Sequence, residues 1–137
     1  MRAVKIGVIG LGAISCGSHL PGILGCQDAV LSAVCDIDAD VLKRVGDQYQ
    51  IDDTHRFTDY RQLIASPDVD AIEICTPNDC HFPMAMDAVS AGKPFSLEKP
   101  VTLTADQAYQ LEQATRASNI KNMVCFSYRF KAATRYL

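Results

Sequence analysis

No Cys-x-x-Cys pair occurs in the chain. That removes the redox and zinc motifs built on such pairs. No apolar run reaches the roughly 18 residues of a membrane span. No basic block offsets the net charge of −3, so nucleic acid is not an expected partner. Internal repeats, linkers and low-complexity segments are missing as well. What remains is ordinary globular composition, 48% hydrophobic and 21% charged over 137 residues, about one domain with a real core. The six cysteines, Cys16, Cys26, Cys35, Cys75, Cys80 and Cys125, read as free, mostly buried thiols of a cytoplasmic protein, several of them inside strands. Cys80-His81, five residues after Cys75, is the one cluster to weigh as a metal site. Its spacing fits no common zinc pattern, and no metal is expected.

The most informative stretch is VKIGVIGLGAIS, Val4 to Ser15. The start, MRAVKIGVIGLGAI, superficially resembles a signal peptide, with a basic end and then an apolar stretch, but it lacks a clear small-residue cleavage site, and its glycine spacing favours a strand and turn. Val4, Ile6, Val8 and Ile9 form the short apolar run of a buried parallel strand. Gly10 permits a tight turn. Gly12, without a Cβ, lets phosphates approach the backbone, and a helix opening at Ala13 or Ile14 aims free N–H groups at them. The third fingerprint position holds Ser15 where glycine or alanine is expected. Serine is small enough for close helix–strand packing, and its hydroxyl could bond a phosphate.

Downstream, Ile14 to about Leu20 reads as a helix that Pro21-Gly22 ends or bends. Ala29 to Cys35 is a second strand, and Asp36 follows it at once. Asp36 lies 21 residues beyond Ser15, close to the roughly 20 expected for the acid that bonds a ribose hydroxyl. Asp38 is assigned the cap of a helix from Ala39 to Tyr49. A carboxylate at Asp36, with no arginine after it, disfavours a 2′-phosphate and so prefers NAD to NADP.

Thr58 is expected to cap a short helix through Ile64, ended by Ser66-Pro67. Ala71 to Cys75 is a strand running into Thr76-Pro77-Asn78, and Glu73 is unexplained in a strand that should be central. The next helix carries Pro83 in its first turn and Phe82, Met86 and Val89 on one face, and closes at Gly92. Pro94 to Leu97 is a strand ending at Glu98-Lys99-Pro100. Thr104 and Gln107 form a capping box for a helix to about Ser118. Asn122 to Phe126 is the last strand, and the tail SYRFKAATRYL begins another helix. This α/β alternation predicts a doubly wound parallel sheet of Rossmann type, with helices on both faces. Gly10, Asp36, Thr76 and Glu98 all fall at strand carboxyl ends, the edge where such sheets bind ligands.

The set G-L-G, C-D-I-D, T-P-N-D-C-H and A-G-K-P-F-S-L-E-K-P resembles the glucose–fructose oxidoreductase, inositol dehydrogenase and rhizopine catabolism (Gfo/Idh/MocA) family over nearly the whole chain. The resemblance implies an NAD(P)-dependent oxidoreductase acting on the hydroxyl or ketone of a sugar or polyol. Gly10, Gly12, Ala13 and Ile14 would line the pyrophosphate, and Asp36 and Ile37 would hold the adenosine ribose. Thr76, Pro77, Asn78 and His81 would lie beside the middle of the dinucleotide, with Glu98 by the nicotinamide ribose. Lys99 would be the catalytic lysine, exchanging the hydroxyl proton, and would precede a cis peptide to Pro100.

The family also has a second α/β domain that builds substrate pocket and oligomer interface. Residues 1–125 are therefore expected to be the dinucleotide-binding domain, and 126–137 the start of the connection to a substrate domain absent from this sequence. The full-length form would be a homo-oligomer, and the isolated chain would bind cofactor without efficient turnover. The competing readings are a non-catalytic NAD-sensing or interaction module on the same scaffold, and a methyltransferase, which also places an acid after its second strand.

Overall fold

Six parallel strands are ordered β3-β2-β1-β4-β5-β6 in a single sheet. They are β1 (Val4–Ile9), β2 (Ala29–Cys35), β3 (Arg56–Phe57), β4 (Ala71–Ile74), β5 (Phe95–Leu97) and β6 (Asn122–Val124). The structure is a computed structural model that describes residues 2–135. The helices are α1 (Leu20–Leu24), α2 (Ala39–Gln48), α3 (Tyr60–Ala65), α4 (Asn78–Ser90), α5 (Ala105–Ser118) and α6 (Ala132–Arg135). The expected doubly wound α/β architecture is present. None of the described helices is long and apolar enough to cross a membrane.

Strand side chains alternate between two faces. On one, Val8, Leu31 and Val34 pack with Leu20 of α1 and Leu42 and Val45 of α2. On the other, Ile72, Ile74, Phe95 and Leu97 pack with Leu63 of α3, Ala85 and Ala88 of α4 and Leu111 of α5. Glu73 and Ser96 therefore point to the first face, in register with Val8 across β1, β4 and β5. The helices of that face, α1 and α2, pack over β1 and β2, and this accounts for an acidic residue in a central strand.

Local chemistry sets most boundaries where the sequence puts them. Asp38 accepts hydrogen bonds from the N–H groups of Asp40 and Val41 at the start of α2. The Thr104 hydroxyl accepts from the Gln107 N–H, while Gln107 reaches back to the N–H of Leu103. Gly92 closes α4 at φ +70°, and the Lys99-Pro100 peptide is cis.

Four expectations need correction. Asp59, not Thr58, caps α3, by accepting from the Arg61 N–H. The two-residue strand β3, absent from the sequence reading, precedes it. Pro83 lies inside α4 rather than in its first turn. Its ring sits on the exposed side, where water can satisfy the freed carbonyl of Asp79. Phe82, Met86 and Val89 share one face of α4, as expected, and pack partly buried against the core beside the fully buried His81, Ala85 and Ala88. Helical backbone also runs past Pro21-Gly22, over residues 13–24, with a π-helical segment at Ser15–His19 closed by the Leu20 N–H on the Ser15 carbonyl. The tail forms a short 3-10 turn and then α6; its last two residues, Tyr136 and Leu137, lie outside the described residues.

Candidate functional site

All six strands are parallel, so their carboxyl ends share one edge. Backbone hydrogen bonds just past the strands hold that edge together. The Gly10 N–H donates to the Cys35 carbonyl, Cys75 to Ile9 and Glu98 to Ile74. Gly10 turns the chain at φ +88°. A Cβ there would stand 2.7 Å from the Cys75 carbonyl oxygen, so its first duty is to let β1 and β4 approach. Gly12 differs: a Cβ there would meet nothing within 4 Å among the described residues. Its missing side chain leaves open space above the loop. The first intrahelical bond runs from the Cys16 N–H to the Gly12 carbonyl, and Ala13 and Ile14 are exposed beside it.

Asp36 closes the loop from the β2 side. One carboxylate oxygen accepts from the Leu11 N–H at 2.8 Å, the other from the Asp38 N–H at 3.0 Å. A cavity of about 140 Å³ adjoins it, lined by Gly10, Asp36, Ile37, Thr76 and Pro77 among the expected residues. Thr58, Tyr60, Cys80 and Met84 also line it, and the sequence reading did not place them there. Thr58 and Tyr60 follow β3, a strand too short to leave a periodic signal. Asn78 is exposed at the first position of α4.

Two residues stand apart from the open groove. Ser15 is fully buried, and its hydroxyl has no hydrogen-bond partner among the described residues, so of its two expected parts it plays that of small packing residue. His81 is also fully buried. Its Nδ1 lies 2.6 Å from the Pro100 carbonyl and its Nε2 2.9 Å from that of Thr76. It ties together the loops after β4 and β5 from behind. With both nitrogens so engaged, His81 is not free to ligate a metal with Cys75 or Cys80.

Lys99 lies at the opposite end of the edge from Asp36. Its side chain is 64% exposed, with Nζ 4.0 Å from Glu98. Together with Phe126, Ser127 and Tyr128 it lines a cavity of about 610 Å³. Glu98 is nearly buried; one of its oxygens accepts from the Lys99 N–H at 3.0 Å.

The other Glu98 oxygen leads to a feature the sequence did not announce. It lies 3.0 Å from His19 Nε2, while His19 Nδ1 lies 3.1 Å from Glu73. One imidazole thus bridges two largely buried carboxylates. The Cys125 thiol donates to the same Glu73 oxygen at 3.4 Å and sits 3.0 Å from the Ser96 hydroxyl. The hydrogen bond to Glu73 raises the His19 pKa above its ordinary value, burial opposes this, and Glu98 adds to the rise. Burial pushes the Cys125 thiol up to about 11 and the Cys35 thiol up to about 12.

A raised histidine pKa makes stability depend on pH in a definite sense. The contribution of protonated His19 is complete below its ordinary value of 6.5 and is lost as pH rises through the higher folded value. The groups facing it are Glu73 from β4, Glu98 after β5 and Cys125 after β6. Urea midpoints of the wild type in EDTA should therefore fall on going from about pH 6 toward alkaline pH. His19→Gln should flatten that fall. Parallel curves for the two proteins would show that His19 is not its source.

The oxidoreductase family with an NAD-binding Rossmann fold (GFO_IDH_MocA) matches residues 4–126. A myo-inositol 2-dehydrogenase of Thermotoga maritima is 28% identical over 127 residues, which are 93% of this chain and 37% of that protein. An inositol 2-dehydrogenase of Pseudomonas savastanoi pv. phaseolicola is 34% identical, over 85% of this chain and 34% of that protein. Among solved structures, scyllo-inositol dehydrogenase from Lactobacillus casei with bound NAD(H) and scyllo-inositol superposes with a TM-score of 0.91 at 27% identity. That superposition covers 98% of this chain and 39% of the other. The chain thus spans well under half the length of the relatives it matches. On its strand order, its glycine loop and the family match over nearly its whole length, the chain belongs to the Gfo/Idh/MocA oxidoreductases and carries their NAD-binding Rossmann fold.

Proposed function

We propose that this chain is the cofactor-binding part of an NAD-dependent dehydrogenase that acts on a hydroxyl or ketone of a sugar or polyol. The observation that carries the reading is the convergence of Gly12, Asp36, Thr76, Glu98 and Lys99 on one sheet edge. The open space over Gly12 fits a pyrophosphate, because none of the described residues fills the place of its missing side chain. Gly10, Gly12, Ala13 and Ile14 would hold the phosphates, and Asp36 with Ile37 the adenosine ribose. Thr76, Pro77 and Asn78 would border the middle of the dinucleotide, with His81 setting the Thr76 loop from behind, and Glu98 would stand by the second ribose. The bound nicotinamide supplies a hydride acceptor or donor.

Lys99 handles the proton. Its ammonium donates to the carbonyl oxygen during reduction, and its amine accepts the hydroxyl proton during oxidation. Its exposed position beside a wide cavity leaves room for a hydroxylated substrate against Nζ. The Asp36 carboxylate at the ribose end would repel a 2′-phosphate, which favours NAD. Residues 126–137 form, in this reading, the start of the connection to a substrate domain, through which the full-length enzyme assembles.

Separate fluorescence titrations with NADH, NADPH and S-adenosylmethionine test the assignment. NADH should bind, NADPH should bind about tenfold or more weakly, and S-adenosylmethionine should not bind. Asp36→Ser should narrow the gap between the two dinucleotides. Binding of S-adenosylmethionine alone would overturn the family chemistry proposed here, and equal binding of NADH and NADPH would overturn the role of Asp36.

A further inference from the structure

We propose that His19, Glu73 and Cys125 form a binding site for a divalent transition-metal ion of the zinc class, open on one side to a cavity. The proposal does not depend on the dinucleotide reading. The three ligand atoms come from three elements, the π-helical segment, β4 and the chain just past β6, and lie within 4.8 Å of one another. Imidazole nitrogen, carboxylate oxygen and thiolate sulfur are the donor set that zinc and its borderline-soft neighbours take.

Two of the three ligand–ligand edges are close to tetrahedral values, and the third lies within 4.8 Å. Ordinary zinc–ligand distances put a nitrogen and an oxygen about 3.4 Å apart, and an oxygen and a sulfur about 3.6 Å apart. His19 Nδ1 is 3.1 Å from the Glu73 oxygen, and the Cys125 sulfur is 3.4 Å from that same oxygen. Both edges need to widen by only a few tenths of an ångström. Glu98 completes the arrangement: 3.0 Å from His19 Nε2, it accepts the far N–H and leaves the Nδ1 lone pair toward the metal. This is the carboxylate–histidine–metal arrangement that orients and strengthens imidazole ligands.

Charge also balances. On binding, the Cys125 thiol proton and the Nδ1 proton leave to solvent, since a coordinating thiol is deprotonated. Glu73 and the thiolate then neutralise the dication. A fourth ligand position faces a cavity of about 490 Å³ lined by His19, Glu73, Ser96, Glu98 and Cys125, so a water or a substrate oxygen can occupy it. The π-helical segment positions His19. Its one extra residue per turn shifts the helix register by about 100°, and π segments of this kind gather at functional sites.

Cobalt(II) is the probe, because it takes zinc's geometry and reports its ligands spectroscopically. The 137-residue chain, stripped with EDTA and kept reduced, should bind one cobalt ion. A near-ultraviolet thiolate-to-cobalt charge-transfer band and tetrahedral visible bands should accompany binding. Cys125→Ser should abolish the charge-transfer band. His19→Gln should weaken binding about 100-fold, and Glu98→Gln about tenfold. Cys16→Ser, which changes a thiol that donates to the Leu11 carbonyl outside the cluster, should leave the band and affinity as they are. If His19→Gln fails to fold, the near-isosteric Cys125→Ser still decides the matter. Absence of the band in the wild type, or a band that survives Cys125→Ser, overturns the proposal.

Discussion

Gly10→Ala should cost the fold about 3 kcal/mol or more and abolish NADH binding. Two costs combine. Gly10 sits at φ +88°, where an L side chain is strained by about 1–3 kcal/mol. Its new Cβ would also lie 2.7 Å from the carbonyl oxygen and 2.8 Å from the carbonyl carbon of Cys75. Those are backbone atoms. They cannot swing aside, because the Cys75 N–H is bonded to the Ile9 carbonyl at 2.8 Å. Relief therefore requires β1 and β4 to separate at the edge where the site is built, with an overpacking cost of about 1–3 kcal/mol more.

Gly12→Ala is the matched control. Its Cβ meets nothing within 4 Å among the described residues, so unfolding midpoints should stay close to wild type while NADH affinity falls, the methyl group standing where phosphate approaches. Urea denaturation and NADH titration of both variants separate the two roles. Equal stability of Gly10→Ala and wild type would refute the packing argument. Unchanged NADH affinity in Gly12→Ala would place the pyrophosphate elsewhere.

The different fates of these two glycines show what could be read from the chain. The turn at Gly10, the strands β1 and β2 and the caps at Asp38 and Thr104 depend on a few neighbouring residues, and the sequence displays them directly. β3 could not be read, because two residues, Arg56 and Phe57, carry no period. The π-helical segment could not be read either: glycine and serine at Gly17 and Ser18 announce no particular turn. Glu73 is the clearest case. Within its own strand it is an anomaly, and only the pairing of β1, β4 and β5 shows that it points to the sheet face on which His19 lies. Contacts between residues remote in sequence leave no local pattern, so the His19 cluster became visible only in three dimensions.

His81 belongs partly to each class, and it carries the second large effect. Its place beside Thr76-Pro77-Asn78 is legible, but its task is not. The side chain is sealed in the interior and joins the Thr76 and Pro100 carbonyls. These belong to the two loops that present Thr76 and Lys99. His81→Ala should destabilise the protein by about 3–4 kcal/mol, from an imidazole-sized cavity together with the loss of the ring N–H that one of the two carbonyls accepts. NADH affinity should drop about tenfold as well, although the removed ring reaches no open surface, because both loops lose the brace that sets their spacing. His81→Gln keeps a donor amide and should recover part of both losses. Urea midpoints and NADH titrations read the two effects on the same samples. If His81→Ala lost stability but kept wild-type affinity, His81 would be a packing residue alone, and the spacing of the Thr76 and Lys99 loops would be set by the sheet edge without it.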